Sequence, residues 1–278
     1  MSTVFKYCDA RGVEILTNLE LKVTPPNQFN DPFEFMANIA CSNPILWANQ
    51  NFNEDWIREL HTSMVLEGRV IETLHAFRKR FKANRARFIK DWMNQVWPKA
   101  IENTQAKVLD DISECLGVLC MSGKETSILM WGHYCDSHRG IVIGFDDSSE
   151  VFRRELGLRR VNYEEKRVEF DLAAVRSPEE NQALNERIIL SKNKEWSYEE
   201  EVRQLFHLRD LRKGKLWNGK DGYFCAIPPE AIACVYLGTK ALDETKAKVR
   251  KALESPLLSH VRLQQASLHK TEFRIDFD

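Results

Sequence analysis

Apolar positions change period along this chain, and the change divides it into blocks. Over residues 53–114, Trp56, Leu60 and Met64 recur once per helical turn. Leu74, Phe77 and Phe81 follow, then Phe88, Trp92 and Val96, a spacing that predicts amphipathic helices. Pro98 is expected to end or kink one of them. From residue 115 onward, short apolar runs and alternation take over. Residues 115–121 and 139–146 read as buried strands, and 158–170 alternates around Val161, Asn162 and Tyr163 as a further strand. Strands are also expected at 202–208, 223–227, 233–237, 260–267 and 273–277, with a polar loop over 209–222. Helices are expected at 126–134, at 178–194 around Leu184, Ile188 and Ile189, and at 242–253. Before the helical block, residues 5–7 and the stretch to Val23 suit a strand, a helical turn and a second strand. The segment 24–34 is rich in Pro, Asn and Asp, which makes it a turn-rich loop. The pattern predicts an α+β fold, with residues 1–278 as one domain and 53–114 as a helical insertion within it.

Composition narrows the partners. Hydrophobic residues make up 43% and charged residues 29%, an ordinary globular balance. The net charge of −1 gives no whole-protein field toward nucleic acid or anionic lipid. The first residues lack a charged start followed by an apolar run, so no secretory signal is expected, and no apolar stretch is long enough to span a bilayer. The seven cysteines are odd in number and show no C-x-x-C, which suits free thiols in a reducing cytoplasm. His133, Cys135 and His138 lie close together but lack the second ligand pair of a zinc site, so no metal is expected. Residues 78–90 hold Arg78, Lys79, Arg80, Lys82, Arg85, Arg87 and Lys90 without an acid, interleaved with phenylalanines. This basic helix is a weak nucleic-acid candidate; the favoured reading is an amphipathic helix with a solvated basic face and a phenylalanine stripe in the core.

Three clusters could carry chemistry. Phe29-Asn30-Asp31-Pro32-Phe33-Glu34 could be a side-chain-capped turn or a ligand loop. Met130-Trp131-Gly132-His133-Tyr134 could form an aromatic wall for a planar ring, or pack beneath the next strand. In Trp196-Ser197-Tyr198-Glu199-Glu200-Glu201-Val202-Arg203, a continuous strand would point Glu199, Glu201 and Arg203 to one face. The alternative is a charged helix start with solvated glutamates.

These motifs, in this order, with Gly140-Ile-Val-Ile-Gly-Phe-Asp146 between the second and third, resemble the bacterial domain-of-unknown-function family 2971. The order of parts is more distantly similar to the ADP-ribosyltransferase fold. That resemblance implies a mixed, mostly antiparallel β core and the use of NAD as substrate. It places Tyr7 at the first motif, Trp131 and Tyr134 near the nicotinamide pocket, and Glu199 or Glu201 at the third motif. Glu201 would hold the ribose and Glu199 would act on the acceptor. Asn30, Asp31, His133 and Trp196 complete the implied binding set. Arg203 would clamp the pyrophosphate or serve as a structural partner of Asp31 or Glu34. The implied activity is an ADP-ribosyltransferase or NAD glycohydrolase, in the setting of a bacterial toxin or phage-defence effector. A nucleic-acid or protein acceptor and an antitoxin or regulator are the implied partners. Two other readings stay open. One is a nucleic-acid-binding protein or a nuclease in which Asp31, Glu34, Glu199 and Glu201 hold Mg²⁺. The other is a non-catalytic nucleotide-binding or regulatory module.

Overall fold

A computed structural model describes residues 3–153 and 157–278. The fold is mixed α+β, and the chain forms two compact units. The first comprises Met1–Phe35, Leu109–Lys166 and Ile189–Asp278; the second comprises Met36–Val108 and Arg167–Ile188.

The first unit is built on an eight-stranded sheet. Its order is Ile275–Phe277, Arg262–Leu268, Ile232–Leu237, Ile141–Asp146, Thr3–Cys8, Leu116–Ser122, Glu201–His207 and Arg159–Arg160. Neighbours run antiparallel except Ile232–Leu237 beside Arg262–Leu268. A parallel pair needs a crossover, and the helix Asp243–Leu253 supplies it. Side-chain alternation sorts the strands between two hydrophobic layers. Ile141, Ile143 and Phe145 join Val4, Leu119, Val235 and Leu237 on one face. Val142 joins Phe5, Tyr7, Trp131 and Tyr236 on the other. Both faces of Ile141–Asp146 are therefore covered, which explains its unbroken apolar run.

Strand pairing sets the frame for the site. Thr3–Cys8, Leu116–Ser122 and Glu201–His207 are neighbours, with Ser122 opposite both Phe5 and Glu201, and Cys120 opposite Arg203. A separate antiparallel sheet joins Arg212–Lys215, Asp221–Ala226 and Glu20–Val23, so a strand occupies part of the expected loop 209–222.

Two expectations are corrected. The single strand over 158–170 is three short ones: Arg159–Arg160 pairs with the large sheet, Asn162–Glu164 with Ser191–Asn193, and Glu169–Asp171 with Asn38–Ala40. Alternation specifies extended backbone, but the choice of ladder partner is tertiary. The helix expected over 178–194 ends at Ile189, because 191–193 is drawn into the parallel pair with 162–164.

The second unit is mainly helical: Pro44–Asn51, Glu54–Leu66, Leu74–Ala83, Arg85–Gln95 and most of Trp97–Cys115. The first of these begins ahead of the expected block, with Asn43 accepting from the Leu46 N–H as its cap. The helical run breaks just before Pro98, as expected: Arg85–Gln95 ends at Val96, and Pro98 sits in the first turn of the next helix, where a missing N–H costs nothing. Phe77 and Phe81 are buried in a core with Phe52, Ile57 and Ile89. The basic run is largely paired within the unit. Arg78 and Lys82 both reach Glu54 at 3.0 Å, Arg80 meets Glu72 at 2.5 Å, and Arg85 donates to the Ala48 carbonyl at 3.0 Å. No helix among the described residues is long and apolar enough to cross a membrane.

Gly140, at the entry to the central strand, fixes how closely two backbone segments approach. A Cβ there would lie 2.0 Å from the Cys8 carbonyl oxygen, which is backbone and cannot swing away. Gly140→Ala is expected to destabilise the protein by about 1–3 kcal/mol, read as a lower midpoint in urea unfolding with an unchanged slope.

Candidate functional site

Two local devices bring five charged side chains together. The first is the turn at 31–35. Asp31 accepts from the Phe33 N–H at 2.9 Å through its side chain and from the Glu34 N–H at 3.3 Å through its carbonyl. Phe35 follows in the left-handed region with φ of 61°. The turn buries Glu34, which is 4% exposed. Asp31 is thus the turn maker rather than a ligand-facing residue. The second device lies at 193–201. Asn193 caps a 3-10 turn over Lys194–Glu199, which ends at Glu200 with φ of 44° and ψ of 49°. The expected continuous strand from Glu199 is corrected here, because the strand begins only at Glu201. Glu199 and Glu201 nevertheless converge, since the left-handed residue between them turns the chain.

Lys192, on the short strand Ser191–Asn193, stands at the centre. Its Nζ donates to Glu199 Oε2 at 2.6 Å and to Glu201 Oε2 at 2.9 Å, and lies 3.3 Å from Glu34 Oε1. Arg203 closes the other side. Its Nε donates to Glu201 Oε1 at 2.8 Å, Nη1 to the Ile189 carbonyl at 2.6 Å, and Nη2 to Glu34 Oε2 and Glu201 Oε2. The guanidinium is fully buried beside the rings of Phe29 and Phe35, at 5.7 and 5.1 Å from their centres. Of the two roles expected for Arg203, this geometry matches the structural partner of Glu34; a guanidinium so engaged has no open fork for a pyrophosphate.

Three carboxylates face two cations, and their environments separate them. Burial pushes the Glu201 carboxyl up, but Arg203 and then Lys192 outweigh it and bring it down to about 2. Burial pushes Glu34 up as well, and there it prevails over Arg203 and Lys192. Burial alone would lower Lys192 and Arg203, yet the surrounding carboxylates raise both. The cluster therefore keeps both cations charged and concentrates the unfavourable ionisation on Glu34. Tyr134 joins from the helix Ile128–Tyr134, donating from its hydroxyl to Glu199 Oε1 at 2.6 Å. Burial, and next that hydrogen bond, raise its phenol.

The cluster borders a cavity of about 110 Å³. Of the residues singled out in the sequence, Tyr7, Asn30, Glu34, Tyr134, Glu199 and Glu201 line it. Four others lie elsewhere or behind it, besides Asp31. Trp131 is fully buried, with Nε1 donating to the Glu125 carbonyl at 2.7 Å and its ring edge-on to Tyr7; its neighbour Met130 takes the cavity wall instead. The expected aromatic wall is corrected to this extent: Trp131 is a core residue. His133 is exposed, with Nδ1 3.0 Å from the Tyr198 hydroxyl. Trp196 lies beneath Lys192, whose Nζ is 4.9 Å from the ring centre. Arg203 braces the carboxylates from behind. Sequence reading missed Lys192, which fell inside a predicted helix. One signal was available: Asn193 is a capping residue that starts a new turn at Lys194, so the preceding helix has to end before it and Lys192 is released from the helical period.

Residues 130–204 match the family described as Protein of unknown function (DUF2971). The matched segment runs from Met130 on the cavity wall through Tyr134, Lys192, Glu199, Glu201 and Arg203; Glu34 lies outside it. No curated protein and no solved structure matches the chain. The resemblance to ADP-ribosyltransferases therefore rests on the motifs alone, whereas the DUF2971 segment carries four of the five charged groups of the cluster.

Breaking the cluster is expected to be costly. Arg203→Met strands two buried carboxylates and should destabilise by about 3–5 kcal/mol, measured by urea unfolding at pH 7. The pH dependence has a definite sign. Glu201 titrates lower in the folded state than the roughly 4.3 of a free glutamate, so its stabilisation is complete above that pH and is lost as pH falls toward 2. Glu34 is shifted the other way, so its ionisation on raising pH costs stability. Glu201→Gln should flatten the acid limb of the stability profile, and Glu34→Gln should not.

Proposed function

We propose that the cavity is the catalytic pocket of an enzyme that cleaves the N-glycosidic bond of NAD, passing ADP-ribose to water or to an acceptor. The observation that carries this reading is the convergence of Glu199, Glu201, Glu34 and the Tyr134 hydroxyl on one small cavity with Phe29 and Met130 in its walls. Its volume of about 110 Å³ suits one ring-sized moiety, below the roughly 300 Å³ where whole-ligand pockets begin, so most of a dinucleotide would lie outside.

The chemistry follows from the charges. The C1′–N bond breaks and its electron pair leaves with the ring nitrogen, turning the pyridinium into neutral nicotinamide. Positive charge develops on the ribose, as in glycoside cleavage. A cluster with three carboxylates and two cations offers that charge a negative field. The oxygens of Glu201 are engaged by Lys192 and Arg203, so it acts through its field. Glu199 accepts two hydrogen bonds, one from the neutral Tyr134 hydroxyl and one from Lys192, against three from cations to Glu201, so the proton of the attacking water or acceptor hydroxyl is assigned to Glu199. With water the balance is NAD plus water giving ADP-ribose, nicotinamide and a proton. The metal-dependent nuclease reading has less support, because Lys192 Nζ already stands at cation distance from all three glutamates.

Purified protein incubated with NAD is expected to release nicotinamide, alone or when DNA, RNA or cell lysate is added. Glu199→Gln should slow release by about 10²- to 10⁴-fold, and Tyr134→Phe by less. Absence of release under every condition, with protein shown to be folded, would remove this reading.

A further inference from the structure

One atom of the cluster is left over. Glu34 Oε2 accepts from Arg203, but Glu34 Oε1 is buried and accepts no hydrogen bond. It lies 3.3 Å from Lys192 Nζ, within ion-pair range but off hydrogen-bond geometry. Lys192 has three N–H donors and commits two, to Glu199 and Glu201. Glu34 and Lys192 both line the cavity. A buried carboxylate oxygen that accepts no hydrogen bond is expensive, and native structures seldom leave one so.

We infer that Glu34 and Lys192 form a hydroxyl-binding pair, and that the cavity takes a sugar or other polyol hydroxyl between them. A hydroxyl carries one donor and two acceptor lone pairs, so it can give its proton to Glu34 Oε1 while accepting from Lys192 Nζ. The distances allow it: an oxygen about 2.8 Å from each atom closes a triangle on the 3.3 Å base. A phosphate oxygen lacks the donor, and a carboxamide would need two atoms for the task, its N–H to Glu34 and its carbonyl from Lys192, a case the deoxy analogues below separate from a hydroxyl. The walls agree with a ring that bears the hydroxyl, since Phe29, Met130 and Tyr134 offer apolar surface beside the polar pair. This moves the hydroxyl-holding role from Glu201, whose oxygens are taken, to Glu34, which lies outside the DUF2971 segment. The inference rests on the proposed function only in taking this cavity as the ligand site.

Water has the same donor and acceptor set, so the test must separate a ligand hydroxyl from solvent. Wild-type protein is titrated calorimetrically with ADP-ribose and with its analogues lacking the 2″ or the 3″ hydroxyl of the terminal ribose. One deoxy analogue is expected to bind roughly 10- to 100-fold more weakly, the loss of one hydrogen bond to a charged group. In Glu34→Gln, Arg203 claims the amide oxygen and leaves an NH₂ where the acceptor stood. That variant should bind ADP-ribose more weakly and no longer distinguish the analogues. Binding of both deoxy forms within about twofold of ADP-ribose, or of none of the three, would overturn the inference and leave the position to solvent. The wild-type comparison decides the matter even if the variant does not fold. Nicotinamide release with equal affinities would keep the glycosidic reading and discard the hydroxyl pair. Discrimination without release would do the reverse.

Discussion

The five-membered charge cluster of Glu34, Lys192, Glu199, Glu201 and Arg203 is the constraint to which the first unit is fitted. Charges removed from water are tolerated only when paired and hydrogen-bonded, and here almost every donor and acceptor is assigned. The pairing ties together three stretches of chain. Arg203 Nη1 reaches the Ile189 carbonyl, Nη2 reaches Glu34, and Lys192 spans from Glu34 to the turn before the strand. The turn at 31–35, the strand Ser191–Asn193 and the strand Glu201–His207 of the large sheet cannot shift independently without stranding a buried charge.

A cluster of this kind is weak evidence of stabilisation for its own sake, since apolar residues of similar volume often serve as well. Its cost makes sense if its field is used. The excess carboxylate lies on a cavity, and the phenol of Tyr134 extends the network to that cavity's wall. Two non-glycine residues in left-handed backbone, Phe35 and Glu200, adjoin the carboxylates they position. Strained backbone of this sort persists where the surroundings enforce it, and it gathers at functional sites.

The helical unit invites a different reading from its sequence. A basic run interleaved with phenylalanines looks like a nucleic-acid contact until its partners are known. Glu54 opens the preceding helix and answers Arg78 and Lys82, and Glu72, in the loop just before Leu74–Ala83, answers Arg80. Phe77 and Phe81 are core residues beside Phe52 and Ile57. Acids outside the run neutralise much of what the local sequence displays.

Residue order alone specifies the α+β class, the helical periodicity of 53–114, the apolar strands at 116–122 and 141–146, and the chemistry-bearing motifs around Glu34, Tyr134 and Glu201. Those are local properties: period, run length and residue type act over a few neighbours. Tertiary structure decided the rest. Strand 158–170 broke into three because ladder partners lie far along the chain. Lys192 turned inward because residues 191–193 found a partner at 162–164. Trp131 went to the core and Met130 to the cavity wall because a short helix buries one side chain against Tyr7 and presents the other to the cavity. The fate of Arg203, clamp or brace, hung on Glu34, 169 residues earlier in the chain. No pattern within the octet Trp196–Arg203 could have revealed it, because the energy of a buried charge depends on what surrounds it in space.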